Sequence, residues 1–139
     1  MQMTIGELSR RTGVTVKTIR EYEGMGLIYT VGRSPGNYRL FDESALWCID
    51  VIRNLRSLGL TVAEIREIAA IYLGSPDEPI GPHLASRVHA ARSRIDARIE
   101  ELEQLRRRID EFETLHASEL TGDDTNLRAS DPRSRRKQA

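Results

Sequence analysis

The sequence predicts a mainly α chain: a winged helix-turn-helix head followed by one long C-terminal helix. Three observations carry that expectation. Two short amphipathic segments flank Gly13, and an Arg-bearing loop rich in Gly and Asn follows them. Residues 84–115 then contain neither Gly nor Pro, and their apolar residues recur at heptad spacing. On this reading residues 1–73 are the head, 74–83 a linker, 84–119 a coiled-coil dimerisation helix and 120–139 a disordered basic tail.

Each element has its own signal. Thr4-Ile5-Gly6-Glu7 has capping-box spacing and opens a first helix that turns Ile5 and Leu8 inward and stops near Thr12. Gly13 supplies the left-handed residue of a tight turn, and Thr15 caps a second helix running to about Glu23 with Val16 and Ile19 docked. Leu27–Thr30 and Tyr38–Phe41 are β-prone runs around Arg33-Ser34-Pro35-Gly36-Asn37, the pattern of a hairpin. Asp42 starts a third helix, with Leu46, Ile49, Val51, Ile52 and Leu55 apolar, and Gly59 breaks it. Thr61-Val62-Ala63-Glu64 repeats the capping box, and Ile65, Ile68, Ala69 and Tyr72 make the apolar face of a fourth helix. Three prolines and two glycines in residues 74–83 exclude a helix there. In the long helix, Val88, Ala91, Ile95, Leu102, Leu105, Ile109 and Phe112 fill the seam of one heptad frame, which Arg98 interrupts. A lone helix cannot bury such a seam, so a second copy of the chain is the expected partner.

Composition narrows the function class. The 21 basic and 21 acidic residues cancel, but residues 1–41 hold six cations (Arg10, Arg11, Lys17, Arg20, Arg33, Arg39) against three anions (Glu7, Glu21, Glu23). A basic head on a balanced body is the footprint of a chain whose head alone meets phosphate. One cysteine, Cys48, excludes an internal disulfide, and no apolar run reaches membrane-spanning length. With no apolar leader at its N-terminus either, the chain reads as cytoplasmic. No nucleophile–base pair, phosphate-binding Gly loop or metal-ligand spacing supports catalysis, so a non-enzyme without cofactor is expected.

A recognition helix reads DNA near its N-terminus. With Val16 and Ile19 docked, Thr15, Lys17, Thr18, Arg20 and Tyr22 are left for DNA, and Arg33, Tyr38 and Arg39 arm the hairpin. The plainer alternative is a small bundle with a solvated basic face and Tyr38 packed on the helices.

Several motifs in order over half the chain then carry a family resemblance: Ile5-Gly6-Glu7-Leu8, Thr12-Gly13-Val14, Thr18-Ile19-Arg20, Tyr22-Glu23, Gly26-Leu27-Ile28, Tyr38-Arg39-Leu40-Phe41 and Ile52-Arg53-Asn54-Leu55-Arg56-Ser57-Leu58-Gly59. The head resembles the N-terminal domain of the MerR family. Glu21 departs from it, because the family usually has an aromatic beside Tyr22, and Asn37 stands where many members have Gly. The resemblance implies a homodimer joined by an antiparallel coiled coil, each head on a half-site of a palindromic operator in double-stranded promoter DNA. It further implies that the dimer distorts an over-long promoter spacer when an effector binds, and so acts on RNA polymerase through the promoter. Lys17 and Arg20 then belong at the major groove, Tyr22, Arg33, Tyr38 and Arg39 on phosphates, with Arg53 or Arg56 adding backbone contacts.

The family's metal sensors have cysteines at both ends of the dimerisation helix; this chain has Gly81-Pro82-His83 at one and only His116 and Glu119 at the other. In an antiparallel dimer His83, with Asp77 or Glu78, meets His116 of the partner subunit and Glu119 of the partner subunit, a secondary candidate for zinc, nickel or cobalt. Cys48 is a secondary redox candidate. The effector is otherwise a small molecule between head and coil, near Tyr72 and Leu73, or absent. Two alternatives to a regulator are an architectural, excisionase-like DNA-bending protein and a coiled-coil protein-interaction module.

Overall fold

The computed structural model describes residues 1–136, which fall into two units, one up to Arg92 and one from Ser93 onward. In the first unit, β1 (Met3–Thr4) runs directly into α1 (Ile5–Thr12), where the Thr4 hydroxyl accepts the Glu7 amide at 3.3 Å. Gly13 ends α1 at φ 74°, a conformation that costs a residue with a Cβ. Three bonds fix the turn: the Thr12 hydroxyl donates to the Leu8 carbonyl, the Val14 amide to the Thr12 hydroxyl, and the Ser9 hydroxyl to the Val14 carbonyl. Then α2 (Val16–Gly24) begins at its cap Thr15.

Next come β2 (Gly32–Arg33) and β3 (Arg39–Phe41), in an antiparallel sheet of order β1-β3-β2. Met3 faces Phe41 and Thr4 faces Leu40 on one edge of β3; Gly32 faces Leu40 and Arg33 faces Arg39 on the other. Asp42 caps α3 (Glu43–Ser57), its carboxylate accepting the Ser44 amide at 2.9 Å. Gly59 turns the chain at φ 89° into α4 (Val62–Gly74), where both halves of the capping box form between Thr61 and Glu64. The core is a single cluster centred on Met3, Leu8, Ile19, Phe41, Ile49 and Leu60, all fully buried.

The long helix is α5 (Gly81–Leu115), 35 residues. It starts before residue 84 because Pro82 sits in the first turn, where no amide donor is needed. Val88 and Ala91 do not wait for a partner: they pack on the head core, Ala91 at 4% exposure. Ile95, Leu102, Leu105, Ile109 and Phe112, in the second unit, are 47–55% exposed. That stripe is what remains of the seam.

Four further expectations change. Leu27–Thr30 is not a strand; Leu27 and Ile28 are buried as irregular chain, and the strand opposite β3 is Gly32–Arg33. Tyr72, placed on the apolar face of α4, is half exposed. The long helix ends at Leu115 rather than 119 and is followed by α6 (Ala117–Leu120), and the expected disordered tail holds α7 (Thr125–Ser130) and α8 (Pro132–Arg136). Local bonds supply the order there: Asp123 accepts the Thr125 amide, Asp131 the Arg133 amide, and Arg128 pairs with Asp124 one helical turn away. Lys137, in the basic run of the tail, lies outside the described residues with residues 138 and 139.

Because the Thr61–Glu64 box satisfies amides at the start of α4, Thr61→Ala is expected to lower the unfolding free energy by about 1 kcal/mol. The measurement is urea denaturation, with a lower midpoint at unchanged slope; an unmoved midpoint means the cap contributes nothing.

Candidate nucleic-acid interface

Docking of α2 decides what it can present. Ile19 is fully buried and Val16 half-buried, so Lys17 and Arg20, three residues apart, stand exposed on the outer face. Thr15 is exposed, but its hydroxyl already accepts the Thr18 amide at 3.2 Å and donates to the Thr18 hydroxyl at 2.9 Å. Tyr22 is half-buried against the core rather than free-standing. The basic work of α2 therefore falls to Lys17 and Arg20.

The hairpin is a wing closed at its tip by three bonds: Ser34 amide to Tyr38 carbonyl at 2.7 Å, Asn37 amide to Ser34 carbonyl at 2.9 Å and Tyr38 amide to Ser34 hydroxyl at 3.1 Å. Asn37 takes φ 66°, the left-handed region that Asn tolerates. Its register sets Arg33 directly opposite Arg39, and like charges so placed destabilise a hairpin. Two contacts relieve them. Arg33 donates to the Asn37 carbonyl at 3.1 Å, and Arg39 forms an ion pair with Glu23 of α2. Tyr38, 70% exposed, covers neither.

A groove of about 600 Å3 runs between α2 and the wing, lined by Arg20, Glu23, Asn37, Tyr38 and Arg39 with Thr4 and Ile5 at its end. Helix and wing thus face one channel. Glu23 is the residue that sequence reasoning missed. It is 16 positions from Arg39, and only the wing folding back on α2 brings them together. An anion entering the groove competes with the Glu23 carboxylate for Arg39. Of the two arginines on α3, Arg53 is exposed with its guanidinium beside Gly13, whereas Arg56 donates to the Leu60 carbonyl at 2.9 Å and closes the end of its helix.

The sensing candidates are already engaged. His83 Nε2 lies 2.7 Å from a Glu78 oxygen; His116 stacks on Phe112 with ring centroids 4.4 Å apart and lies 3.6 Å from Glu119. Bonding to its own backbone amide lowers the Glu119 pKa, helped by Ser118 and His116. Among the described residues no three His, Cys, Asp or Glu side chains converge as metal ligands. Cys48 is buried, and burial pushes its thiol above the ordinary range, with the Asp42 charge adding. Redox sensing needs an accessible thiolate, and this site opposes one.

A winged helix-turn-helix head with a basic groove, carried on a long helix with an exposed apolar stripe, defines a class of DNA-binding regulator. Residues 3–70 match the family described as "MerR HTH family regulatory protein", and residues 47–112 the one described as "MerR, DNA binding". The HTH-type transcriptional regulator ZntR of Escherichia coli K12 is 33% identical over 105 residues, covering 76% of this chain and 74% of ZntR. The nodulation protein NolA of Bradyrhizobium elkanii is 43% identical over 63 residues, 45% of this chain; the match spans only 29% of NolA. The crystal structure of PbrR691 from Ralstonia metallidurans CH34, in complex with lead(II), superposes with a TM-score of 0.67 at 33% identity, covering 78% of this chain and 84% of that one. The chain belongs to the MerR family, whose members are DNA-binding transcription factors rather than enzymes. No helix among the described residues is long and apolar enough to cross a membrane.

Burial raises the Tyr29 pKa as well, with Cys48 and Tyr72 adding to it. Both groups are acids whose neutral form the fold favours. Their contribution is therefore intact below the unfolded pKa values and is lost as pH climbs through the raised folded ones. Stability is expected to fall on the alkaline side, and Cys48→Ala to flatten the earlier part of that fall; denaturation midpoints across the alkaline range read it. A Cys48 that reacts with a thiol reagent in native protein as fast as free cysteine contradicts the buried site.

Proposed function

We propose that this chain is a transcriptional regulator that binds a palindromic promoter operator as a homodimer and distorts its DNA in response to an effector. The observation that supports this reading is the shared groove: Arg20 of α2 and Tyr38 and Arg39 of the wing line one channel, while Lys17 on α2 and Arg33 on the wing are exposed. A helix in the major groove and a wing on the adjoining backbone need that arrangement, since base contacts specify while phosphate contacts position. Thr15, Thr18 and Tyr22 support the helix from its capped and buried sides. Ile95, Leu102, Leu105, Ile109 and Phe112 supply the dimer seam, for which an antiparallel copy of α5 is the simplest cover. Two heads held at fixed separation can convert their own geometry into DNA deformation.

Footprinting of purified protein on the DNA upstream of its own coding region is expected to show a protected palindrome. Affinity should fall steeply with salt, as phosphate neutralisation demands. A protein-interaction module gives no such footprint, and an architectural protein gives protection without a defined palindrome. Arg20→Ala is expected to cost about 1–3 kcal/mol of operator binding while the dimer persists; unchanged affinity removes Arg20 from the interface. Leu102→Glu with Ile109→Glu is expected to give monomers in analytical ultracentrifugation, and a dimer that survives both changes overturns the seam.

A further inference from the structure

A second pocket, of about 250 Å3, lies entirely within the first unit, between α3, α4, the segment that follows α2 and the start of α5. Its character is unlike that of the basic groove. Among the described residues no Asp, Glu, Lys, Arg or His lines it; its walls are mainly aliphatic and aromatic side chains, with Ala69 among the smallest. The polar groups carried by its lining residues are neutral: two tyrosine hydroxyls, the Cys48 thiol and the Trp47 indole N–H. Trp47, Tyr72 and Leu73 line it at about half exposure, so apolar surface stays in water until something fills the space.

Size and polarity select the occupant. An engineered apolar cavity of about 150 Å3 takes up a benzene ring, so this one has room for two fused rings. A charged ligand finds no counter-charge and is excluded by its desolvation cost. A hydroxyl or carbonyl on the rings finds the tyrosine hydroxyls or the thiol as partners.

The pocket also touches what a regulator must move. Its wall includes Gly26, Leu27 and Tyr29, directly beyond the end of α2, and the Leu27 amide donates to the Tyr22 carbonyl of that helix at 2.9 Å. Ile80, immediately before α5, and Leu84, in its first turn, line it too, and the Leu84 amide donates to the Ile80 carbonyl at 3.0 Å. A molecule wedged between them bears on the C-terminal end of the recognition helix and on the root of the long helix at once. We propose that this pocket is the effector site and that its ligand is an uncharged aromatic molecule of one or two rings carrying a hydroxyl or carbonyl. The effector role rests on the regulator reading above; the binding does not.

The test uses the full chain with 2-naphthol as probe and 2-naphthoate as its charged counterpart. Trp47 is the only tryptophan, so its indole N–H gives one signal in a nitrogen-correlated NMR spectrum. Saturable movement of that signal by naphthol, one site per chain, is expected, with naphthoate at least about tenfold weaker. Ala69→Phe fills the space and is expected to abolish binding. Tyr72→Phe removes one polar partner and should weaken naphthol several-fold; it keeps the test open if Ala69→Phe does not fold. No movement up to millimolar naphthol, equal binding of naphthoate, or tight binding by folded Ala69→Phe overturns the site. So does a second copy of the chain seated in the pocket, seen as naphthol competing with dimerisation. Operator affinity without naphthol is measured separately, so loss of DNA binding sinks the regulator while the naphthol result stands by itself. Naphthol that binds but leaves operator affinity and DNA distortion unchanged overturns the effector role.

Discussion

Strand β3 is only three residues long, yet both of its edges are occupied, and the placement of the basic groove depends on that. On one edge it holds β1, which passes without a break into α1; on the other it holds β2 and hence the wing. Phe41 at its end is fully buried among Met3, Leu8 and Ile19. A buried Phe side chain accounts for roughly 3–5 kcal/mol when truncated, comparable to much of a small domain's stability. One side chain thus locks the sheet to both helices of the helix-turn-helix. Without it the wing is a two-stranded hairpin, which has little stability of its own in water.

Once the wing is fixed, its charges are in conflict. Arg33 and Arg39 face one another, and neither can leave without breaking the register. Glu23 resolves half of the conflict with a carboxylate that is itself largely buried beside Arg39. Such a pair is best understood as a placeholder. It ties the wing to α2, and an anion that reached the same guanidinium would replace one negative partner by another. A head built only of cations would repel itself, and the internal anion offsets that repulsion.

How far the sequence disclosed this structure follows from what each element relies on. Helices α1 to α4 announce themselves through Thr4, Thr15, Asp42 and Thr61 at their caps and through Gly13 and Gly59 at their breaks, local signals that the fold uses, although at Thr4 only the hydroxyl half of the expected box forms. Strands are a different matter. Met3–Thr4 is too short for any periodicity, and Gly32–Arg33 has no β preference; both exist because β3 offers them an edge. Leu27–Thr30 has the propensity without the edge, and spends it on burying Leu27 and Ile28 in irregular chain. The cations of the groove were legible because docking of Val16 and Ile19 fixes the outer face of α2. Glu23 was not, since its role is tertiary. Val88 and Ala91 obey the heptad frame perfectly well, but the frame does not say where the head ends.

That last point bears on how a short chain of this family could be controlled. Because Val88 and Ala91 pack on the head, the first turns of α5 belong to the same unit as the recognition helix, and only the later turns keep their apolar stripe exposed. Head and helix root are therefore one packed body with a space of about 250 Å3 inside it. Bending a site of this kind costs on the order of 1–6 kcal/mol, while coupling free energies between ligand sites run at about 1–3 kcal/mol. If the pocket is the effector site, a dimer carries two of them, and two small ligands acting in concert would reach the scale of the deformation. The requirement is only that the occupied pocket fit the distorted complex better than the relaxed one, since a ligand with equal affinity for both shifts nothing. A pocket lined by the segment just beyond α2 and by the start of α5 is placed so that a change in the angle between them would change its shape.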